Sequence, residues 1–219
     1  MILALDTSTQ WMGIALSTQS MVFYERIWQT QRRHTIELAP AVRSAMRDCA
    51  VSFTDLEALT IALGPGSFTS LRIGLAFIKG IALAHHAPTI GIPSLDILAH
   101  GQPVVDHPLC CIMQAGRHRL IVQKYIPEDN QWKVSQSAYV TTAENLASEI
   151  TSPVVCCGEL SNEDRHTLGR KWKNAILASP PACLRRPSHL AELAFQRLSE
   201  GKIDDPLTLT PIYIQTSES

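Results

Sequence analysis

An apolar three-strand opening, an alternation of helix and strand behind it, and a second strand-rich opening after residue 108 predict an α/β chain. The order up to residue 100 is that of one lobe of an actin-like fold (ASKHA, ribonuclease H-like), and the later stretch repeats its strand-rich opening. The first lobe is expected at residues 1–104 and the second, smaller one at residues 105–219, with the C-terminal helix free to pack back on the first. The boundary rests on residues 101–108, which hold two prolines and few large apolar side chains.

Residues 2–5 form an apolar run that ends in Asp6-Thr7-Ser8-Thr9, a turn of Asx and hydroxyl residues. Residues 11–16 and 21–28 read as two further strands, and the short link at 17–20 implies an antiparallel meander. Residues 36–50 read as a helix with Leu38, Ala41, Val42, Ala45 and Cys49 on one face, and Pro40 marks its first turn or kinks it. A buried strand at 59–63 leads through Gly64-Pro65-Gly66 into a helix at 71–84. Both glycines can take positive φ in that turn, and Ser67, Thr69 and Ser70 can each accept from an orphan N–H at the helix start. A strand at 89–93 and a helix at 94–100 close the first lobe.

The helix at 71–84 organises the rest. At about 100° per residue, Arg72, Lys79 and His86 make one thin polar stripe on an otherwise apolar cylinder. Phe77, Ile81 and Ala84 lie opposite and are expected to face the core, while Leu75 and Leu83 flank the stripe half exposed. Gly74 and Gly80 each cost about 1 kcal/mol in a helix interior, so close backbone approach is expected at both. Such a helix reads as buried on two sides, and one small domain supplies only one.

In the second lobe, residues 109–115, 119–126 and 132–139 repeat the strand-rich opening. A helix at 142–150 follows, capped by Thr141 or Thr142, with Glu144 in its first turn. Residues 154–157 read as a buried strand, 159–171 as a polar helix and 188–200 as an amphipathic helix. Residues 207–214 read as a β-rich segment docking along an edge ahead of a disordered tail.

Composition narrows the function classes. A net charge of −1 leaves no chain-wide basic footprint for nucleic acid. With 18% charged residues, somewhat below the usual share, surface is expected to be reserved for a partner. The six cysteines include two adjacent pairs in apolar runs, whose neighbouring side chains point to opposite faces. They read as buried reduced thiols. The opening residues do not read as a signal peptide and no apolar run reads as membrane-spanning, so a cytoplasmic location is expected.

Candidate chemistry is sparse. The Gly64-Pro65-Gly66 turn lacks the Gly-Lys-Ser/Thr ending of a phosphate loop, although a helix N-terminus can hold an anion. Asp6 stands at a strand end where acidic residues of nucleotide-binding folds approach metal or phosphate; stabilising its turn explains it equally well. Eight histidines show no metal-ligand spacing and read as scattered over the surface, with His34 and Glu37 on one face of a helix start. There is no Gly-x-Ser-x-Gly elbow, and Ser67 most resembles a helix cap. Arg117, His118 and Arg119 form a small basic cluster that a solvated hairpin tip explains as well.

Three stretches, Ile2-Leu3-Ala4-Leu5-Asp6-Thr7-Ser8, Gly64-Pro65-Gly66-Ser67-Phe68-Thr69-Ser70-Leu71-Arg72-Ile73-Gly74-Leu75-Ala76 and Pro211-Ile212-Tyr213-Ile214, together resemble the TsaB (YeaZ) family. The resemblance implies two actin-like lobes and a role in making threonylcarbamoyladenosine beside the tRNA anticodon. It implies a non-catalytic subunit acting with a TsaD-like catalytic subunit and a TsaE-like ATPase. Family members lack the metal-binding histidines of TsaD, so no cofactor, metal or catalytic residue is expected, and tRNA is met through the complex. The helices at 36–50 and 71–84 match those that pack against the partner. That places Leu38, Val42, Leu71, Arg72, Leu75, Lys79 and Leu83 on the expected contact surface; a homodimer of the lone chain stays open. Ser70 stands where the family motif usually has glycine, and Gln114-Ala115-Gly116-Arg117 where Asp-Ala-Arg-Arg is usual, so the second lobe lacks a carboxylate there. The competing classes are an actin-like ATPase or sugar kinase, which needs glycine-rich phosphate loops in both lobes, and a glycoprotease-like metallopeptidase, which needs metal ligands.

Overall fold

The computed structural model describes residues 1–116 and 118–214. Two compact units divide it, Met1–Ile97 with Arg186–Tyr213, and Leu98–Arg185.

The first unit is built on strands β1 (Ile2–Asp6), β2 (Trp11–Ser17), β3 (Val22–Gln29), β4 (Ala58–Ala62) and β5 (Thr89–Ile92). They lie in the order β3-β2-β1-β4-β5, antiparallel through the meander and parallel from β1 to β5. Alternation along β1 decides what each face carries. Leu3 and Leu5 point to the face covered by helices α1 (His34–Asp48) and α2 (Phe68–His85). Ile2 and Ala4 point to the other face, covered by a later helix. That second face is lined by small residues, Ala4, Ala15, Ala58 and Ala62, which let a helix lie close.

Helix α3 (Ser94–His100) follows β5. The second unit repeats the first in topology. Its strands β6 (Leu109–Gln114), β7 (Leu120–Glu128), β8 (Gln131–Thr141), β9 (Val154–Gly158) and β10 (Ala175–Leu177) lie in the order β10-β9-β6-β7-β8. Helices α4 (Ala143–Glu149) and α5 (Asn162–Gly169) occupy the positions of α1 and α2 in chain order. Thr142 caps α4 by accepting from the Asn145 amide. Helix α6 (Pro187–Ser199) belongs to the first unit and supplies Leu190, Ala191, Ala194 and Phe195 to the small-residue face. Its start is pinned by Glu25 of β3, which accepts from the Ser188 amide at 3.0 Å and from its hydroxyl, and pairs with Arg186.

Several expectations need correcting. The core stripe of α2 is Leu71, Gly74, Leu75, Ile78 and Ala82, not Phe77, Ile81 and Ala84. Phe77 and Ile81 are half-buried and pack at the edge of that core, as expected in part, while Ala84 is exposed, so the centre of the buried face is turned by about 110° from the expected one. Leu75 is only 6% exposed, whereas Leu83 is 52% exposed. Arg72 and Lys79 do not oppose the core; they flank it and reach the C-terminal segment. Close approach explains Gly74, where a Cβ would stand 2.1 Å from Thr7 Oγ1, but nothing lies within 4 Å of the same position on Gly80. Helix α2 is also, at 18 residues and a mean hydropathy of 1.2, long and apolar enough by composition to cross a membrane, contrary to the expectation. Its apolar face here packs on the first sheet.

The smaller corrections have local causes. Pro40 sits inside α1, which removes the first-turn alternative and leaves the other. Ser67 is the N-cap of α2 by position, yet its side chain makes no capping bond and accepts instead from Ser70 Oγ at 3.0 Å. His34 is buried rather than on the surface. Residues 207–214 form no strand; Ile212 donates one backbone bond to Leu63, and prolines 206 and 211 interrupt any ladder. Strand β10 was not expected at all. Arg117 and the expected disordered tail lie outside the described residues.

Candidate functional site

Helices α1 and α2 leave an apolar groove of about 610 Å³ between their outer faces, lined among others by Leu38, Phe68, Arg72, Ile73, Ala76 and Phe77. Local chemistry fixes both walls. Helix α1 starts at His34, whose ring nitrogen Nε2 bonds the Thr9 carbonyl at 2.8 Å. Glu37 accepts from Trp28 Nε1 at 2.8 Å, which ties the first turn to β3. Leu38, Val42, Ala45 and Met46 then bury one stripe of α1. Helix α2 is drawn tight onto the turn after β1 at its glycines. A Cβ on Gly66 would stand 2.2 Å from the Ser8 carbonyl, and Gly74 presses on Thr7.

The outer face of α2 is unusual for a surface. Ala76, Gly80 and Ala84 recur every fourth residue and are all exposed, with Phe68 at 54% and Leu83 at 52%. Ile36 on α1 is 63% exposed. A glycine in a helix interior loses about 1 kcal/mol against alanine, and among the described residues no neighbour makes use of the space at Gly80.

One end of the groove carries a cation set among aromatic rings. The Arg72 guanidinium lies 3.8 Å over the Phe68 ring, and its Nε donates to the Tyr213 hydroxyl at 3.1 Å. Phe68 and Tyr213 are themselves stacked at 5.2 Å. Lys79 donates to the Leu207 carbonyl at 3.3 Å, so the C-terminal segment runs along α2 and holds both of its basic side chains.

The turn after β1 tells against its alternative use. Asp6, Thr7, Ser8 and Thr9 are all buried. Asp6 Oδ1 accepts from the Ser8 amide, Thr7 Oγ1 donates to the Ser70 carbonyl at 2.9 Å, and the Ser67 amide donates to the Ser8 carbonyl at 2.7 Å. Ser8 Oγ meets Ser94 Oγ at 2.6 Å, and Ser94 Oγ accepts from the Gly64 amide. The hydroxyls of Thr7 and Ser8 and the Asp6 carboxylate are thus engaged with the chain's own groups, as the turn-stabilising reading of Asp6 requires.

In the second unit Gln114 donates to Asp164 Oδ2 at 2.7 Å, so a carboxylate does stand beside that strand end. The same oxygen accepts from the Ser161 amide and hydroxyl as the capping box of α5. Lys124 and the Tyr139 hydroxyl both donate to Glu149 Oε2 at 2.8 Å. Burial, helped by the Glu149 bond, pushes the Tyr139 hydroxyl up to about 12. All six cysteines are free thiols and five are buried.

Of the seven residues expected on the contact surface, Leu38 and Arg72 line the groove. Leu38 is itself buried, Val42, Leu71 and Leu75 are buried in the core and do not line the groove, Lys79 is half-buried and Leu83 is exposed on the same helix as Arg72. Sequence reasoning missed Phe68, Ile73, Ala76, Phe77 and Tyr213. The spacing of Ala76, Gly80 and Ala84 was the available signal.

A family model described as TsaD, tRNA N6-adenosine threonylcarbamoyltransferase, matches residues 28–174. The tRNA threonylcarbamoyladenosine biosynthesis protein TsaB of Bacillus subtilis (strain 168) is 28% identical over 225 residues, 100% of this chain and 95% of that protein. Its namesake in Escherichia coli (strain K12) is 37% identical over 100 residues, 46% of this chain and 43% of that one. Among solved structures, YeaZ from Pseudomonas aeruginosa superposes with a TM-score of 0.79 at 22% identity, covering 97% of this chain and 99% of that one. The fold class is α/β, two-lobed and actin-like.

Proposed function

Because this chain belongs to the TsaB (YeaZ) family, within the reach of the TsaD family model, we propose that it is a non-catalytic subunit for threonylcarbamoylation of the adenosine next to the anticodon of tRNA. In this reading it docks a TsaD-like catalytic subunit, works with a TsaE-like ATPase and meets tRNA only within the complex.

The open apolar groove of α1 and α2 carries the reading. Its exposed Phe68 and Ala76, with the open space at Gly80 and the exposed Leu83 further along the same helix, give a helix from another chain a close seat. Ridges of such a helix can settle against small residues at a short interaxial distance. The Thr7 hydroxyl and the Ser8 amide and hydroxyl, already bonded within the chain, add weight, since a phosphate loop needs free donors. With a net charge of −1 the chain has little to offer tRNA phosphates by itself.

Reconstitution tests it. Purified tRNA, catalytic subunit and ATPase are assayed for the modified nucleoside with and without this chain, and the chain is sized alone and with the catalytic subunit. Modification that requires the chain, together with a stable complex, is the expected result. Full modification in its absence, or peptide or ATP turnover by the chain alone, overturns the proposal.

A further inference from the structure

We propose that Arg72 is the acid-receiving post of the groove, so that the partner helix lying along α2 presents a carboxylate to its guanidinium. The inference rests on the reading that this groove takes the catalytic subunit, and it names the partner's chemistry.

Among the described residues lining the groove Arg72 is the only charged one; the others, such as Leu38, Phe68, Ile73 and Ala76, are neutral. It is exposed, and among the described residues no carboxylate forms an ion pair with it. Its position is nevertheless fixed. The Phe68 ring lies under the guanidinium at 3.8 Å and the Tyr213 hydroxyl takes Nε at 3.1 Å. Stacking one face and holding Nε leaves the two terminal nitrogens in a set plane, the fork that meets a carboxylate with two parallel bonds.

The surroundings raise the demand for an anion. The first turn of α2 carries no acidic residue, so the positive end of the helix adds to the Arg72 charge. A docked apolar helix would take that charge out of water, which is unfavourable unless an opposite charge arrives with it. A phosphate backbone fits less well. Recognition of a phosphate strand uses several basic contacts along its track, and this groove has one cation in an apolar lining.

Tyr213 is then a positioning residue for Arg72, and the C-terminal segment is part of the docking face. Affinity for the catalytic subunit is measured by calorimetry at several salt concentrations for the native chain and for Arg72→Met, Arg72→Lys, Tyr213→Phe and Ala76→Glu. Thermal melting confirms that each is folded. Arg72→Met is expected to bind at least about tenfold more weakly, with a flatter salt dependence, and Arg72→Lys to recover only part of the loss. Tyr213→Phe should weaken binding less than Arg72→Met. A further variant, Arg72→Glu, should lose binding and regain it when one acidic residue of the partner's docking helix is changed to Arg; failure of every such swap would count against the ion pair. If Ala76→Glu abolishes binding while Arg72→Met binds as the native chain does, the groove stands and the assignment of Arg72 falls. If both bind normally, the docking reading itself falls and takes this one with it. If Arg72→Met leaves subunit affinity unchanged but weakens tRNA binding by the assembled complex, Arg72 faces a phosphate and the proposal is overturned.

Discussion

Gly74 and Thr7 meet so closely that a single added methyl carbon on the glycine would stand 2.1 Å from the threonine hydroxyl oxygen. Thr7 is fully buried and its hydroxyl donates to the Ser70 carbonyl one turn earlier on the same helix. This contact and the neighbouring one at Gly66 seat α2 on the turn after β1.

Gly74→Ala is therefore expected to destabilise the chain despite alanine's better helix propensity. Overpacking against a short, buried side chain costs about 1–3 kcal/mol, and the propensity gain offsets about 1 kcal/mol of that. Denaturant unfolding of the purified variant checks it. A midpoint equal to or above that of the native chain would show that α2 can shift without loss.

Gly80→Ala is expected to do the reverse. With nothing within 4 Å of the added carbon, the free chain should gain about 0.5–1 kcal/mol. If a partner helix lies close at this point, the same methyl group should weaken the complex. Melting temperature and affinity should thus move in opposite directions, and parallel movement would remove Gly80 from the contact.

These two glycines also mark where the sequence was readable and where it was not. Both announced themselves as costly residues in a helix, but only neighbours distant in sequence decide that one is used inside the chain and the other is not. The strands were legible because Leu3, Leu5, Ile14 and Ile61 belong to uninterrupted apolar runs. The facing of α2 was not, because Gly74 and Ala82 contribute to its buried stripe without a strong hydropathy signal. Arg72 and Lys79 read only as a thin polar stripe, without partners, because Tyr213 and Leu207 lie more than a hundred residues away. Strand β10 is three residues long and gives no period to read. The paired topology of the two sheets was legible in the repeated strand-rich opening.

Glu25 makes the stability of the first unit sensitive to acid. Burial alone would raise its carboxyl, but the bonds from Arg186 and Ser188 outweigh that and hold it below the ordinary carboxylate range. A depressed carboxylate contributes stability that is present above its unfolded pKa and is lost as pH falls through its folded value. Glu25→Gln should cost about 1–2 kcal/mol near neutrality, since Arg186 is largely exposed and screened. The deficit should shrink as pH drops below about 4. Urea unfolding across that range checks the sign, and a deficit that grows in acid would contradict it.

Neighbouring residues on α2 separate core from contact surface. Leu75 is 6% exposed and packs with Ile78, Leu59 and Ile61, whereas Ala76 faces outward into the groove. Leu75→Glu removes a buried apolar side chain and places a carboxylate without a partner in its stead. Each part costs roughly 2–5 kcal/mol, enough to consume much of a domain's stability, so the isolated chain should be unfolded or nearly so. Ala76→Glu puts the same carboxylate one residue further on, where water reaches it, and the free chain should stay within about 0.5 kcal/mol of native. If the partner helix seats in the groove, Ala76→Glu should nonetheless abolish the complex and, with it, tRNA modification in the reconstituted system. Thermal melting and co-elution with the catalytic subunit, run side by side on both variants, distinguish the cases. A folded Leu75→Glu chain would mean that α2 is turned from the orientation described, with Leu75 at the surface. A folded Ala76→Glu chain that still binds at native affinity would mean that the catalytic subunit docks elsewhere, because a side chain that large would stand in the space the partner helix needs even if its carboxylate met Arg72 one turn earlier.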